Sequence, residues 1–496
     1  MKKSLRITAV CSSLALLSVC LILKTSAQGL RMRSILPLSP VSGSVLVAQA
    51  IHSGKLHRPF HPFTAQFANT LTCSPAPCAL PNVQASEGGS VVDETPIAAS
   101  PTNSSRVLTG GNDYNCANIQ GFFASSDGGS TWNHTCLNSI AGDFGEGDPG
   151  VGYDRVGNAF ISGIDASHGI VFEHSNNNGT TWSTPMVAVP PLFSGGLTDK
   201  PWLQVDTNRT SPNVNALYIS VTQFDSSQTT IDISVSHSLN HGTTWSTSTV
   251  ATGTYPTINQ FSDLAVGKDG TVYLTWMQCV ANGPTNDCGG TSAAMMFSKS
   301  TDAGTTWSTP VVMANVNLAP DTCGAFYGCL PNTFERVSNI PAIGVDNSSG
   351  PHSGNLYVVM YNWTGTQLQV EVISSQNSGT TWGLPVKVAG TAVHDQFFPW
   401  LNVSQTGIVG VTWMDRRNDP SNINYQEFSA LSFNGGASFG RNTVISTASS
   451  DPFNDGFGGS FMGDYSGNSW SGKTLFASWT DTRTGIAQDE VGGFFQ

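Results

Sequence analysis

An eight-residue pattern recurs along the chain and limits its fold more than any other feature. The pattern starts with Ser, has Asp or Asn at its third position and Gly at its fifth, and ends in an aromatic residue. Six copies occupy residues 125–132, 175–182, 238–245, 300–307, 375–382 and 432–439. Successive copies start 50 to 75 residues apart, which is the size of one four-stranded unit with its loops. The spacing therefore predicts an array of similar β units.

The residue types of this pattern are those of a tight turn. The Asp or Asn side chain accepts hydrogen bonds from the backbone of its own turn, and the following Gly supplies the positive φ that reverses the chain. The terminal Trp is an apolar plug. Four of the six copies have Asn in place of Asp, which keeps the hydrogen-bond acceptor but loses the charge. We therefore expect structural turns and neither calcium binding nor acid catalysis at these positions.

Five close copies of this turn resemble the Asp-box, also called the BNR repeat, and residues 81–496 resemble the sialidase-like β-propellers. The resemblance implies an all-β propeller of four-stranded blades that acts on a glycan or glycoconjugate. It implies an exo-acting glycoside hydrolase of the exo-α-sialidase type. Because the superfamily also includes non-catalytic members, a carbohydrate- or protein-binding propeller is the alternative.

The segments between the repeats alternate apolar and polar residues with the period of β-strands, as in residues 271–276, 355–360 and 474–479. Counting pairs of such strands gives seven units, of which the last lacks the repeat. Seven blades are predicted, with six as the alternative because the last unit can instead complete the first blade. Residues 28–80 show no repeat and are predicted to be a leader or linker.

The first 27 residues have the features of a secretory signal peptide. Lys2, Lys3 and Arg6 precede an apolar run over residues 7–23, and small residues follow. An uncleaved membrane anchor is the alternative, and no later segment is apolar for long enough to span a bilayer. We expect a protein that is secreted or extracytoplasmic and has no membrane span after the signal is removed.

The eight cysteines beyond residue 27 lie in four local groups, and this spacing in an exported chain predicts four disulfides. The expected pairs are Cys73–Cys78, Cys116–Cys136, Cys279–Cys288 and Cys323–Cys329. A zinc site is the rival interpretation, but the chain has no CxxC and the pairs are far apart in sequence.

The charge balance argues against nucleic acid as a partner. The chain has 21 basic and 33 acidic residues and no run of five basic residues. The predicted signal peptide carries four of the basic residues and no acidic one, so its removal makes the chain more negative. An acidic surface repels phosphate backbones. We expect a monomer that needs no metal and no cofactor.

Alignment of the seven units places one charged residue at the start of each first strand. These residues are Glu94, Asp148, Asp199, Asp263, Arg336, Asp395 and Asp464. They are expected to surround the mouth of the central channel, on the face opposite the repeat turns. Such a ring can bind a cation through oxygen ligands, supply an acid/base pair for glycoside cleavage, or hold neighbouring blades together.

Four arginines depart from the repetition of the blades and are candidates for substrate binding. They are Arg336, Arg416, Arg417 and Arg483. Guanidinium groups bind a carboxylate through two parallel hydrogen bonds, and the resemblance implies that arginines hold the acidic sugar in this way. The alternative is that each arginine pairs with a neighbouring aspartate as an interblade salt bridge.

Tyr465 is the candidate nucleophile that the resemblance implies. Asp464 or Asp395 is expected to activate it, and Glu94 completes the predicted catalytic set. The alternative is a buried structural tyrosine.

The chain departs from the sialidase pattern at one position. Sialidases carry Arg-Ile-Pro at the first strand of the first blade, whereas this chain has Glu94-Thr95-Pro96 there. A negative charge at that place favours a neutral-glycan enzyme that uses two carboxylates, or a binding module, over a sialidase.

Overall fold

The computed structural model of the protein describes residues 39–62, 71–283 and 285–496. The signal-peptide prediction lies outside the described residues. The described chain is almost entirely β, with one α-helix, α1 (Gly43–His52), and a short 3₁₀ helix at Pro452–Asn454. The described residues contain no helix that is both long and apolar enough to cross a membrane.

The described residues form thirty strands in seven sheets, which are the seven blades of a β-propeller. Strands β1 (Cys78–Ala79) and β2 (Val83–Gln84) precede the first blade. The first blade has β3 (Val92–Asp93), β4 (Ile97–Ala99), β5 (Val107–Asp113), β6 (Gly121–Ser125) and β7 (Asn133–Cys136). The second has β8 (Gly145–Tyr153), β9 (Ala159–Asp165), β10 (Gly169–Ser175) and β11 (Met186–Val189). The third has β12 (Leu197–Val205), β13 (Leu217–Phe224), β14 (Thr230–Ser238) and β15 (Ser246–Thr254).

The remaining blades follow the same order along the chain. The fourth has β16 (Thr257–Val266), β17 (Val272–Val280), β18 (Ser292–Ser300) and β19 (Val311–Asn317). The fifth has β20 (Ala342–Val345), β21 (Leu356–Trp363), β22 (Leu368–Ser375) and β23 (Val386–Lys387). The sixth has β24 (Gln396–Val403), β25 (Val409–Asp415), β26 (Gln426–Ser432) and β27 (Thr443–Val444). The seventh has β28 (Gly467–Ser471), β29 (Thr474–Asp481) and β30 (Gln488–Phe495).

The ring is closed by pairing the start of the propeller with its end. Strands β1 and β2 pair antiparallel with β30 and together form the outer strand of the seventh blade. The register places Cys78 opposite Phe495 and Val83 opposite Val491. This closure joins the first and last parts of the propeller in one blade. The prediction of seven four-stranded blades is confirmed, because the last unit forms a blade of its own.

The residues assigned to a leader or linker from sequence are partly built into the propeller. Cys78–Ala79 belong to the seventh blade, and the buried face of α1 packs against side chains from the first and last blades. The sequence does not indicate this packing, because residues 28–80 share no pattern with the blades.

The repeat turns join the third and fourth strands of six blades and have the predicted hydrogen bonds. In the first copy the Ser125 hydroxyl donates to Asp127, and Gly129 N–H donates to Ser125 Oγ at 2.8 Å. In a copy with Asn, Thr181 N–H donates to Asn177 Oδ1 at 2.9 Å. The amide therefore serves the turn as well as the carboxylate does. All four predicted disulfides are present.

Three aromatic rings meet at the centre of the propeller. The ring centroids of Trp202 and Trp400 lie 4.2 Å apart, and the ring of Tyr465 lies 5.6 Å from Trp202 in an edge-on arrangement. They come from the third, sixth and seventh blades. The channel is therefore filled by side chains below its mouth, where the predicted ring of charges lies.

Candidate functional site

The inner strands of several blades are distorted where they begin, and the distortion turns charged side chains toward the propeller axis. Strands β8 and β12 shift register near Asp148 and Lys200. Glu94, Asp148 and Lys200 have φ values of 55°, 55° and 50°. Non-glycine residues adopt this conformation at a cost of order 1–3 kcal/mol, so it persists only where surrounding contacts hold it.

The contacts that hold these residues are ion pairs around one ammonium group. Lys200 Nζ lies 2.6 Å from Glu94 Oε1, 2.7 Å from Asp148 Oδ1 and 3.0 Å from Asp464 Oδ2. The three carboxylates come from the first, second and seventh blades, and the lysine from the third. Asp199 and Arg336 complete this group. We call these six residues the central charge cluster.

Arg336 and Asp464 form an interblade salt bridge within the cluster. Arg336 Nε lies 3.0 Å from Asp464 Oδ1, and its Nη2 donates to Oδ2 at 3.2 Å. Arg336 precedes the fifth blade and Asp464 the seventh. The guanidinium thus binds a carboxylate through two hydrogen bonds, as expected of a substrate-binding arginine. The carboxylate, however, belongs to the protein.

Burial and mutual contact shift the pKa values of the cluster in opposite directions. Burial and the nearby Asp148 carboxylate raise the pKa of Glu94 well above its usual range. Burial would also raise the pKa of Asp148, but the Lys200 ammonium and the side-chain hydrogen bonds with Glu94, Lys200 and Ser44 together outweigh burial and lower that pKa. Burial and Asp148 raise the pKa of Asp199 to about 7. The surrounding carboxylates raise the pKa of Lys200 despite its burial.

Residues 39–52, which we call the N-terminal segment, cover the mouth of the channel directly above the cluster. Ser42 N–H donates to Asp199 Oδ2 at 2.8 Å, and the Ser44 hydroxyl donates to Asp148 Oδ1 at 2.8 Å. In return Arg336 Nη1 donates to the Val41 carbonyl at 2.9 Å. The segment thus satisfies both the acidic and the basic members of the cluster.

The carbonyl of Pro40 adds contacts to the fourth blade and to the loop after it. It accepts a hydrogen bond from the Gln260 amide at 3.0 Å and one from the Tyr327 hydroxyl at 2.6 Å. Together with the contacts of Ser42 and Ser44, the segment reaches side chains from most of the ring.

Helix α1 begins directly over the carboxylates. Ser42 is its N-cap, since the Ser42 hydroxyl accepts a hydrogen bond from Val45 N–H. The positive end of the helix dipole therefore faces the side chains of Asp148, Asp199 and Asp464, and Gly43 N–H lies 3.5 Å from Asp464 Oδ2. The buried face of the helix packs with Phe461, and a Cβ at Gly43 would lie 2.2 Å from that ring. Only glycine allows this close approach.

Tyr465 lies beneath the cluster and is 4% exposed. Its hydroxyl donates to the Pro149 carbonyl at 3.0 Å, and Lys200 Nζ lies 5.0 Å from its ring centroid. Burial and the charge of Glu94 raise the pKa of the phenol well above its usual range. Its hydroxyl thus bonds to the backbone, whereas the catalytic prediction gives it Asp464 or Asp395 as a partner.

Asp395 and Arg416 lie together in the sixth blade, as a separate pair. Arg416 Nη1 lies 3.7 Å from Asp395 Oδ2 and donates to the Pro331 carbonyl at 2.8 Å. Asp395 accepts a hydrogen bond from Leu368 N–H at 2.8 Å and one from the Asn422 amide at 2.6 Å. Burial raises the pKa of Asp395 and lowers that of Arg416 to about 10. Neither side chain is exposed.

The other two candidate arginines each pair with an aspartate two residues earlier. Arg417 Nη2 lies 2.5 Å from Asp415 Oδ2, and Arg483 Nη2 lies 2.7 Å from Asp481 Oδ2. These pairs lie within single blades. The structure therefore brings Glu94, Asp464 and Arg336 together and places Arg416, Arg417 and Arg483 in separate contacts.

Asp263 also stands apart from the cluster. The alignment placed it at the start of a first strand, but it lies inside β16, just after the register shift of that strand. Its carboxylate accepts hydrogen bonds from the backbone N–H groups of Leu264 and Ile343, both at 2.7 Å. Asp263 therefore links neighbouring blades, which is the structural role considered for the ring.

Sequence reasoning missed the residues that neutralise and cover the cluster. Lys200 directly precedes Pro201, just as Asp148 directly precedes Pro149. Aligning the two blades on these prolines would have placed Lys200 at the position of Asp148. Ser42 and Ser44 lie in a segment without repeats and gave no comparable signal.

Within the described part of the chain, two groups of side chains have the spacing of metal ligands. One consists of Asp143, Asp165 and His168, whose ligand atoms lie within 4.8 Å of one another. In it His168 Nδ1 lies 3.0 Å from Asp143 and 2.8 Å from Asp165, so the three groups already pair with one another. The other joins His134 to the sulfurs of Cys116 and Cys136, which form a disulfide and are not thiolates.

The fold and site define a seven-bladed propeller whose axial charges are buried beneath its own N-terminal segment. The sequence matches no family model, and no curated protein sequence matches it. Several solved structures are similar in architecture.

One such structure is a protein of unknown function from Dyadobacter fermentans, with 11% identity and a TM-score of 0.42 over 82% of this chain and 94% of that chain. Another is the α-L-arabinanase of Penicillium chrysogenum, with 14% identity and a TM-score of 0.43 over 70% and 92%. A third is a polysaccharide lyase that acts on ulvan, with 9% identity and a TM-score of 0.48 over 82% and 94%. At such low identity these similarities concern architecture and assign no activity to this chain.

Proposed function

We propose that this protein is an extracytoplasmic β-propeller that binds a glycan on the face opposite the repeat turns, and that its central charge cluster is structural. The observation that carries the proposal is the burial of the whole predicted catalytic set. Tyr465, Asp464, Asp395 and Glu94 are each at most 4% exposed and are engaged by protein groups.

A glycan is supported by the resemblance of the repeat turns to Asp-boxes. The predicted signal peptide supports export, and the four disulfides fit an oxidising compartment. The sialidase form of the hypothesis requires arginines that are free to hold a substrate carboxylate. Arg336 instead holds Asp464, and Arg416 is buried against the Pro331 carbonyl. These contacts favour binding over hydrolysis.

The proposal is tested with the purified chain from residue 28 onward, in two assays. Native gels that contain a soluble polysaccharide report binding as retarded migration. Aryl glycosides, including an aryl α-sialoside, report hydrolysis through the released aryl group. We expect retardation by at least one polysaccharide and no release of the aryl group. Release that disappears in Tyr465→Phe would establish the hydrolase and contradict the structural role of the cluster.

A further inference from the structure

A concave site lies on the face opposite the repeat turns, away from the propeller axis. It has a volume of about 580 Å³, which is within the usual range for small-molecule sites. Its walls are three aromatic side chains and a few polar ones. The residues that matter here are Phe334, Trp363, Phe453, Thr322, Asn332 and Thr333. We call it the aromatic pocket.

The three aromatic residues come from different parts of the chain. Trp363 ends β21, Phe334 lies in the connection between the fourth and fifth blades, and Phe453 lies in the 3₁₀ helix between the sixth and seventh. The rings of Phe334 and Phe453 pack edge to face, with centroids 6.5 Å apart. The turns after second strands and the connections between blades all lie on the face of the channel mouth. The pocket therefore opens on the proposed binding face.

The wall formed by residues 320–334 is held in place by bonds from several directions. The Cys323–Cys329 disulfide closes part of the loop. Arg416 Nη1 donates to the Pro331 carbonyl at 2.8 Å, and the Asn332 amide donates to the Ser421 carbonyl at 3.2 Å. A pocket built in advance loses less conformational entropy when a ligand binds. Arg416 thus has a positioning role beneath the pocket.

Among the described residues, those that line the pocket have exposed aromatic surface and include no charged side chain. Phe453 is 41% exposed, and Trp363 and Phe334 are half-buried. At the rim, exposed Thr322 supplies a hydroxyl group and exposed Asn332 supplies its amide oxygen, since the amide nitrogen donates to the carbonyls of Ser421 and Asn422. A sugar ring has the matching chemistry, since its C–H faces are apolar enough to stack on aromatic rings and its hydroxyls form hydrogen bonds at its edge.

We propose that the aromatic pocket is the glycan-binding site and that it takes an uncharged sugar unit of a polysaccharide. This inference rests on the proposed function and specifies its location and ligand class. An acidic sugar would meet no cationic side chain among the described residues that line the pocket, and Arg416, whose Nη1 donates to Pro331, is buried. A buried or poorly solvated carboxylate without such a partner binds at a cost.

The test uses the full chain from residue 28, in native gels that contain linear arabinan, xylan or galactomannan as neutral probes and polygalacturonate as the acidic probe. Trp363→Ala and Phe453→Ala each remove one aromatic wall. Phe433→Ala is the matched control, because Phe433 is 66% exposed in the repeat turn of the sixth blade, on the opposite face. Thermal unfolding of each variant confirms that it is folded.

We expect at least one neutral polysaccharide to retard the native protein and polygalacturonate to have no effect. Trp363→Ala and Phe453→Ala should each raise the apparent Kd at least tenfold, while Phe433→Ala should leave it unchanged. Equal retardation of all three variants would overturn the pocket but leave the proposed function intact. Retardation by polygalacturonate alone would overturn the neutral-sugar class. The absence of retardation by every probe would overturn both the pocket and the proposed function.

Discussion

Lys200 Nζ lies 2.6 Å from Glu94 Oε1, and this contact joins the third blade to the first across 106 positions of sequence. Both side chains are almost fully buried. The same ammonium contacts Asp148 and Asp464, so it neutralises carboxylates from three blades. The propeller therefore carries its own cation at the point where a ring of carboxylates meets.

Replacing Lys200 with methionine should destabilise the protein strongly. The substitution retains much of the side-chain volume but leaves Glu94, Asp148 and Asp464 without their common cation. Loss of one partner from a buried ion pair costs about 3–5 kcal/mol. Urea unfolding of Lys200→Met should show a loss of this size. Lys473→Met is the control, because Lys473 is exposed and its loss should cost almost nothing. Equal stability of the two variants would mean that the cluster does not need the ammonium.

Tyr465→Phe should lower stability by about 1 kcal/mol, the typical net contribution of one hydrogen bond. The change removes the bond from the hydroxyl to the Pro149 carbonyl and keeps the ring between Trp202 and Trp400. Glycan binding should be unaffected, since the aromatic pocket does not include Tyr465. The free energy of unfolding and the retardation in gels measure the two effects. A loss of binding in this variant would indicate that Tyr465 contacts the ligand.

Asp489 should make stability depend on pH. Burial between the first and seventh blades raises its pKa to about 7, whereas the unfolded value is about 4. Between about pH 4 and pH 7, Asp489 is therefore protonated in the folded state and ionised in the unfolded state. The contribution of Asp489 to the free energy of unfolding is full below about pH 4 and is lost as the pH rises through 7. The loss is at most about 1.4 kcal/mol per pH unit.

Asp489→Asn resembles the protonated carboxyl and keeps partners for the Thr109 and Ser478 hydroxyls. Urea unfolding at pH 5.5 and pH 8 should show a smaller loss of stability in the variant than in the native protein. Other buried carboxyl groups with a raised pKa, including that of Asp199, also lower stability as the pH rises, and they are present in both proteins. An identical pH dependence of the two proteins would contradict the assignment.

Gly43→Ala should loosen the N-terminal segment. The added methyl group would lie 2.2 Å from the Phe461 ring, so the ring or the segment has to move. Overpacking of this kind costs about 1–3 kcal/mol. Adding Phe461→Leu to Gly43→Ala should restore part of the loss if the clash is its cause. Additive losses in the double variant would show that another effect operates at Gly43.

Local chemistry made the blades predictable from sequence. The Asp or Asn and the Gly of each repeat act within their own turn, so Asp127 or Asn177 can be interpreted without knowing the rest of the fold. Cysteines that are close in sequence, such as Cys323 and Cys329, form disulfides across short loops. Their pairing could be predicted because it too depends on local sequence.

The site was only partly predictable, because its charges are satisfied by residues distant in sequence. Alignment of the blades placed Glu94 and Asp464 at equivalent positions, and in the structure both contact Lys200. It did not indicate that Lys200 would lie between them, or that Ser42 would cover them. A charged residue that is buried in an ion pair and one that binds substrate look the same in the sequence. They differ only in the groups that they contact in the folded protein.

Hydrogen–deuterium exchange of residues 40–48 tests the central claim most directly. The N–H of Ser42 donates to Asp199, and the first turn of α1 lies buried over the cluster. We predict that these amides exchange as slowly as those of the inner strand β12, because both are released only when the propeller unfolds. Exchange within seconds at these residues would contradict the account, since it would show that the segment leaves the channel mouth and exposes the charge cluster in the native protein.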